Sequence, residues 1–456
     1  MTIRFDNSYA RDLPGAYLRL APSVAPRPKL LAYNADLARD LGLDLTEAEA
    51  EQWFSGASLP TGAEPIALAY AGHQFGNFSA QLGDGRAHLL GEFAGPDGRR
   101  WDLQLKGSGR TPFSRGGDGK AAVGPMLREY LISDAMAALG VPTTRSLAVV
   151  ATGETVLRQD GPLPGAVLAR IAASHIRVGT FQFFAARGQR AELEALMHYT
   201  IARHYPGVDG ALGLFDAVVA RQTQLIAQWM GLGFVHGVMN TDNMALSGET
   251  IDYGPCAFLD SYAPGTVFSS IDRQGRYAYA NQPAIMAWNL SRLAEALLPF
   301  FEADEARAVD IANTRLEAIA GLYQQDWLAE MRRKLGLTDS QPGDEALIND
   351  LMDLMPGRDW TLTFRRGFVG LNGWRQRWLD RAGPGAEARV AAANPAVIPR
   401  NHRVEQALQA ANAGDMAPFN ALLAALRDPF GPETGREGYV LPPPDGLAPY
   451  VTFCGT

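Results

Sequence analysis

At 456 residues the chain exceeds the roughly 250–300 residues at which a single hydrophobic core stops growing, so more than one structural unit is expected. Hydrophobic residues at 47% and charged residues at 20% exclude global disorder, and a formal net charge of −8 argues against coating nucleic acid by counterion release. Two cysteines, Cys256 and Cys454, are too few for a disulfide-stapled secreted scaffold; with no signal-peptide pattern and no apolar run of about 18 residues, a cytoplasmic protein without a membrane partner is expected.

Residues 1–60 alternate Pro-rich turns with one helical pattern, Leu30 to Leu41, and are expected to form an N-terminal extension. From 61 to 185 short apolar runs are punctuated by glycine. Ala87–Glu92 and Trp101–Lys106 flank the turn Gly95-Pro-Asp-Gly98 and predict a hairpin. Pro125 near its start and Gly140 past its end bound a predicted helix carrying Glu129. Further strands are predicted at Ser146–Val150, Thr155–Leu157 and Gly165–Arg170.

Residues 186–440 read as largely helical, with helices over Phe215–Met230, Met286–Phe301, Asp304–Leu335 and Arg403–Leu426. A polar loop cluster from Gly233 to Asp260 interrupts them. Residues 441–456 begin Leu441-Pro-Pro-Pro-Asp-Gly and predict an extended tail carrying Cys454. Strands first, helices second and a loop cluster among the helices predict an α+β protein with a cleft between two lobes.

Common phosphate-binding templates fail. Gly119-Lys120 has Ser114 and Ala121 where a P-loop needs Gly and Ser or Thr. Gly83-Asp-Gly85 and Gly107-Ser-Gly109 are followed by His88 and Pro112 where a dinucleotide fingerprint needs its third glycine. No His/Cys cluster has zinc-ligand spacing.

The parts of a kinase-like phosphoryl-transfer site do occur in order. Lys106 ends a predicted strand, and Glu129 follows 23 residues later on a predicted helix, as in a lysine–glutamate pair that steadies a phosphate-binding ammonium. His236 and Asn243 keep the seven-residue spacing of a catalytic loop, and Asp252-Tyr-Gly254 stands where the Asp-Phe-Gly metal ligand belongs. The amide of Asn243 and the carboxylate of Asp252 suit a hard cation. The catalytic aspartate is absent: its position holds Val238, which cannot accept a proton. Taken singly, Lys106 could be an edge charge, Glu129 a surface residue, and Asn243 and Asp252 turn caps; only their joint spacing favours the site.

Several runs match, in order, the selenoprotein O family of pseudokinase-fold protein nucleotidyltransferases. They are Tyr70–Gly76, Leu82–Arg86, Gln104–Arg115, Leu127–Tyr130, Arg170–Phe181 and His236–Pro255. The chain resembles that family over most of its length. The tail resembles it too, with Cys454 third from the end, where the family carries selenocysteine or cysteine.

The resemblance implies a bilobal protein-kinase-like fold, with a β-rich N-lobe, a helical C-lobe and extensions at both ends. It also implies AMP transfer from ATP to Ser, Thr or Tyr hydroxyls of proteins, with ATP turned end for end and Mg²⁺ assistance. UMP transfer with Mn²⁺ is a family variant. Carried over, Gly83, Gly85, Arg86, Lys106, Asp118, Gly119, Arg170, Arg177 and Asp252 would contact nucleotide, Asn243 and Asp252 would hold metal, and Asp242 would accept the proton. Asp242 could instead only steady the neighbouring metal ligand, and Arg170 and Arg177 could be one exposed and one buried, paired arginine. Cys256 is expected to be a packed thiol; Cys454 is either a redox group or a bystander. A γ-phosphoryl kinase with a relocated base and a non-catalytic nucleotide-binding scaffold are the competing functions.

Overall fold

The computed structural model describes residues 3–158, 161–444 and 450–452. Its first part is built on ten strands: β1 (Tyr17–Arg19), β2 (Lys29–Tyr33), β3 (Ile66–Leu68), β4 (Gly72–Gln74), β5 (Asn77–Ser79), β6 (Ala87–Ala94), β7 (Arg100–Lys106), β8 (Ala121–Ala122), β9 (Arg145–Arg158) and β10 (Gly161–Ala172). The main sheet runs β1-β3-β6-β7-β10-β9-β2, with β8 paired to β10, and its neighbours are antiparallel. β4 and β5 form a separate hairpin.

Alternation along β7 decides what each face of the sheet does. Leu103 and Leu105 join an apolar layer with Leu90, Val150 and Ile171, covered by Leu37, Leu41 and Phe54. Those covering residues come from the 35–54 region, where the Thr46–Glu49 capping box starts the helix Glu47–Phe54. Asp102, Gln104 and Lys106 alternate with those leucines, so they project to the opposite face. On that side the helix Val123–Ala138 packs against β9 and β10.

Some sequence expectations change. The pattern Leu30–Leu41 is not one helix: Lys29–Tyr33 pairs with β9, and Asn34 then caps a short helix, Ala35–Asp40, by accepting from Leu37 N at 3.1 Å. Residues before 60 thus supply both outer strands of the main sheet. The two short runs at 146–150 and 155–157 lie on one long strand, β9.

The second part is helical, dominated by Gly210–Leu232, Gln282–Leu297 and Glu305–Lys334. The expected helix Arg403–Leu426 divides into Asn401–Asn412 and Ala417–Leu426, because Gly414 takes φ +94° and Asp415 accepts from Ala417 N at 2.9 Å. Gly233, at φ +71°, ends the helix Gly210–Leu232 and leads into β11 (Phe234–Val235), which pairs with β12 (Ala257–Phe258). The 21 residues between them are the loop cluster that reaches the sheet. No helix of the described residues is long and apolar enough to cross a membrane. Thr452 pairs with Ser269 near the end of the chain, whereas Cys454 lies outside the described residues.

Candidate active site

Lys106, at the end of β7, donates to Glu129 Oε2 at 2.6 Å and to Asp252 Oδ1 at 2.5 Å. Sheet register brings in the next cation: Arg170 on β10 stands opposite Gln104 on β7. Its guanidinium donates to Gln104 Oε1 at 2.6 Å, to Glu129 Oε1 at 3.1 Å and to Asp252 Oδ1 at 2.7 Å. Arg177, just before the helix Val178–Ala185, donates to Asp252 Oδ2 at 3.1 Å. Burial pushes the Asp252 carboxyl up, but Lys106, Arg170 and Arg177 together hold it well below the usual range.

Asp252 is held from behind. Its φ is +65°, a left-handed conformation uncommon outside glycine. The preceding Ile251 carbonyl accepts from His236 Nε2 at 2.9 Å, and the His236 ring stacks on Trp229 at 5.4 Å. His236 therefore braces the loop.

The segment carrying Arg177 is anchored by partners that no linear spacing marks. Asp102 Oδ2 accepts from His175 N at 2.9 Å and from His175 Nδ1 at 2.8 Å. Arg203 Nη2 donates to Asp102 Oδ1 at 2.5 Å and to Ala173 O at 2.6 Å. Tyr70 lies under the Arg177 guanidinium, 4.6 Å from its ring centroid.

A short 3-10 turn, Thr241–Asn243, presents the second group. The Asp242 carbonyl accepts from Arg177 Nη1 at 2.8 Å, and its Oδ2 accepts from Gln74 Nε2 at 3.2 Å. Its Oδ1 is buried without a hydrogen-bond partner. Burial pushes this carboxyl up to about 6, although Arg177 opposes the shift. Asn243 spends its amide N–H on the Val238 carbonyl at 2.9 Å, which leaves the side-chain oxygen as its ligand atom.

The β4–β5 hairpin fixes this turn: His73 N donates to Thr241 Oγ1 at 2.7 Å, and Phe75 N to Asn240 Oδ1 at 3.2 Å. Asp84 continues the buried network, accepting from Gln104 Nε2 at 2.9 Å, and burial pushes it up to about 6. Gln74 and Asp84 were inside quoted runs, but nothing in a linear pattern marked them as partners of Asp242 and Gln104.

Gly83, Gly85, Arg86, Lys106, Asp118, Gly119, Arg170, Arg177, Asp242, Asn243 and Asp252 all line one cavity of about 690 Å³. Glu129 sits behind Lys106. Gly83 takes φ +99°, and a Cβ there would lie 2.5 Å from the Phe113 ring, so the close approach of these two loops requires glycine. Asp118 is exposed and is held by Arg158 at 2.9 Å and Lys120 N at 2.9 Å. Both arginines, Arg170 and Arg177, are buried and paired with Asp252. Cys256 is buried, and burial pushes its thiol up to about 12.

Three cations thus face Glu129 and Asp252, and Arg86, Arg115, Lys120 and Arg158 also line the cavity, against Asp84, Asp118 and Asp242. Cationic side chains outnumber carboxylates around the cavity, which suits a polyanion.

The family model described as protein adenylyltransferase SelO matches residues 1–386. A protein nucleotidyltransferase YdiU from Cereibacter sphaeroides is 58% identical, with 100% of both chains covered. Proteins of the same name from Sphingopyxis alaskensis and Geobacillus kaustophilus are each 52% identical, covering 100% and 99% of both chains respectively. On this evidence the chain belongs to the SelO family of protein adenylyltransferases, enzymes that transfer nucleotidyl groups to proteins.

Proposed function

We propose that the chain transfers AMP from ATP to hydroxyl side chains of other proteins, with the α-phosphate turned toward Asp242. The observation that carries this reading is Asp242, which lines the same cavity as Lys106, Arg170 and Arg177 and whose carboxylate keeps one buried oxygen, Oδ1, without a hydrogen-bond partner. Val238 occupies the place of a kinase base in the same cavity and offers no lone pair.

In this reading Asp242 Oδ1 takes the proton of the acceptor hydroxyl. The acceptor oxygen bonds to the α-phosphorus, the bond from that phosphorus to the bridging oxygen of the β-phosphate breaks, and pyrophosphate leaves. Lys106, Arg170 and Arg177 neutralise the departing phosphates, the guanidinium forks by paired N–H donors. Glu129 keeps the Lys106 ammonium in place. Gly83, Gly85, Arg86, Asp118 and Gly119 hold the rest of the nucleotide.

The donor set also suits a divalent cation. The free amide oxygen of Asn243 and the Asp252 carboxylate are hard oxygen ligands. Among the described residues no group of three or more His, Cys, Asp or Glu side chains could hold a metal, so binding there would also draw on phosphate oxygens. Mg²⁺, or Mn²⁺ in its place, would neutralise charge on the phosphates when bound.

The Lys106–Glu129 pair between strand and helix, and Asp252-Tyr-Gly254 after the His236 loop, support reading residues 61–185 and 186–440 as the two lobes of a kinase-like fold.

The test is ATP labelled at the α or the γ position, incubated with the full chain and protein acceptors. Label from the α position on the acceptor is the expected result. Label from the γ position would instead identify a phosphoryl kinase, and no label from either would identify a nucleotide-binding scaffold. UTP with Mn²⁺ in the same assay tests UMP transfer.

A further inference from the structure

The β4–β5 hairpin reaches Asp242 through Gln74 and packs Phe75 against Tyr277. Phe78 is exposed, and its ring lies 4.8 Å from that of His73. The His73 ring meets Trp288 edge-on at 5.1 Å and its Nδ1 shares a hydrogen bond with Gln182 at 2.9 Å. Two guanidiniums cover the same tryptophan, Arg276 at 4.7 Å and Arg292 at 5.1 Å from the ring centroid. Arg276 also closes on the hairpin turn: a Cβ on Gly76 would stand 3.6 Å from its central carbon.

These arginines are weakly compensated. No carboxylate of the described residues lies within ion-pair distance of Arg276, whose Nε is buried without a partner. The nearest acid in sequence, Asp272, is engaged by the backbone N–H groups of Arg276 and Tyr277 at 2.9 and 2.7 Å. Arg292 pairs at 2.7 Å with Glu295, whose side chain is 56% exposed, an arrangement that contributes little. A chain of net charge −8 therefore keeps an aromatic and cationic rim beside the turn that carries Asp242. A guanidinium lying on a ring face leaves its N–H edge available for a carboxylate.

We propose that this rim docks an acidic stretch of the acceptor protein next to the hydroxyl that is modified. The proposal rests on the transferase reading above and adds to it the chemistry by which an acceptor is chosen. Carboxylates would take the edges of Arg276 and Arg292, and an apolar side chain would cover Phe78 and Trp288.

The test uses two fluorescent peptides, each with one tyrosine, flanked by glutamates in one and by lysines in the other. Anisotropy with the full chain in low salt is expected to show binding of the glutamate peptide alone. Arg276→Glu with Arg292→Glu is expected to weaken it by about tenfold or more and to bring in the lysine peptide. That exchange of preference cannot come from misfolding, and Arg276→Lys with Arg292→Lys should retain the parent's choice. Equal affinity of both peptides for the parent, no binding of the glutamate peptide, or an unchanged preference in the charge-reversed variant would overturn the proposal. So would a single-stranded DNA oligomer of matched charge that binds the parent as tightly as the glutamate peptide. Incorporation of α-label by the parent is measured alongside, so failure of the transferase reading and failure of the dock are read separately.

Discussion

Lys106 and Glu129 meet at 2.6 Å, and the second oxygen of the same carboxylate accepts from Arg170 at 3.1 Å, so one buried glutamate compensates two cations. All three side chains are at most 10% exposed. Glu129→Gln preserves the shape and removes the charge, leaving Lys106 and Arg170 to share Asp252. Breaking a buried pair in this way costs about 3–5 kcal/mol. Urea unfolding of parent and variant measures it, and a loss below about 1 kcal/mol would mean that the glutamate does not anchor the cluster.

Asp242→Asn tests the proton acceptor without altering volume. The Gln74 contact survives, because the asparagine oxygen can accept the same N–H. Transfer of label from α-labelled ATP is expected to fall by about 10²–10⁴-fold, while calorimetric titration finds ATP affinity changed only a few-fold. A variant that keeps most of its transfer rate would remove Asp242 from the chemistry and leave it as a support for Asn243.

The sequence announced those groups whose spacing is local. Gly95–Gly98 lies at the hairpin turn between β6 and β7, Glu129 is on the helix Val123–Ala138, and His236, Asn243 and Asp252 lie within 17 residues of one another. Partnerships set by register or by packing were not legible. Gln104 faces Arg170, 66 positions away in sequence, only because β7 and β10 pair antiparallel in that register. Gln74 and Asp242 are 168 residues apart and meet because a two-stranded hairpin docks on a 3-10 turn. The Leu30–Leu41 pattern misled for a related reason: its first four residues, Leu30–Tyr33, lie on a strand that pairs with β9, and tertiary pairing overrode helical periodicity.

Gly72→Ala probes how closely the hairpin must approach. A Cβ there would stand 2.7 Å from Asp242 Oδ1 and 2.9 Å from Leu82 Cδ1, so the hairpin or the carboxylate must move. Small displacements of a reacting group are costly, and kcat for transfer is expected to fall about tenfold or more. Gly373→Ala, where nothing lies within 4 Å of the new Cβ, serves as the control and should leave kcat unchanged. Equal rates for the two variants would show that Asp242 tolerates the shift.

Lys334 offers a pH-dependent test remote from the cavity. Its ammonium is buried at the end of the helix Glu305–Lys334, donates to Asn394 Oδ1 at 2.6 Å and lies 4.1 Å from the Phe364 ring centroid. Burial pulls it down from 10.5 to about 7, with Glu330 opposing and Arg333 reinforcing the shift. Between pH 7 and 10.5 the unfolded chain therefore binds the proton that the folded chain has released, and stability rises with pH, by up to about 1.4 kcal/mol per unit from this group. Below pH 7 both states carry the proton and the contribution is flat. Lys334→Met abolishes the titration and leaves Asn394 Oδ1 unpaired, a roughly constant cost of about 1–3 kcal/mol. The stability difference between parent and variant, from urea midpoints at pH 6.5, 7.5, 8.5 and 9.5, should thus move steadily in the parent's favour above pH 7. A difference independent of pH would mean that Lys334 keeps its ordinary basicity when buried.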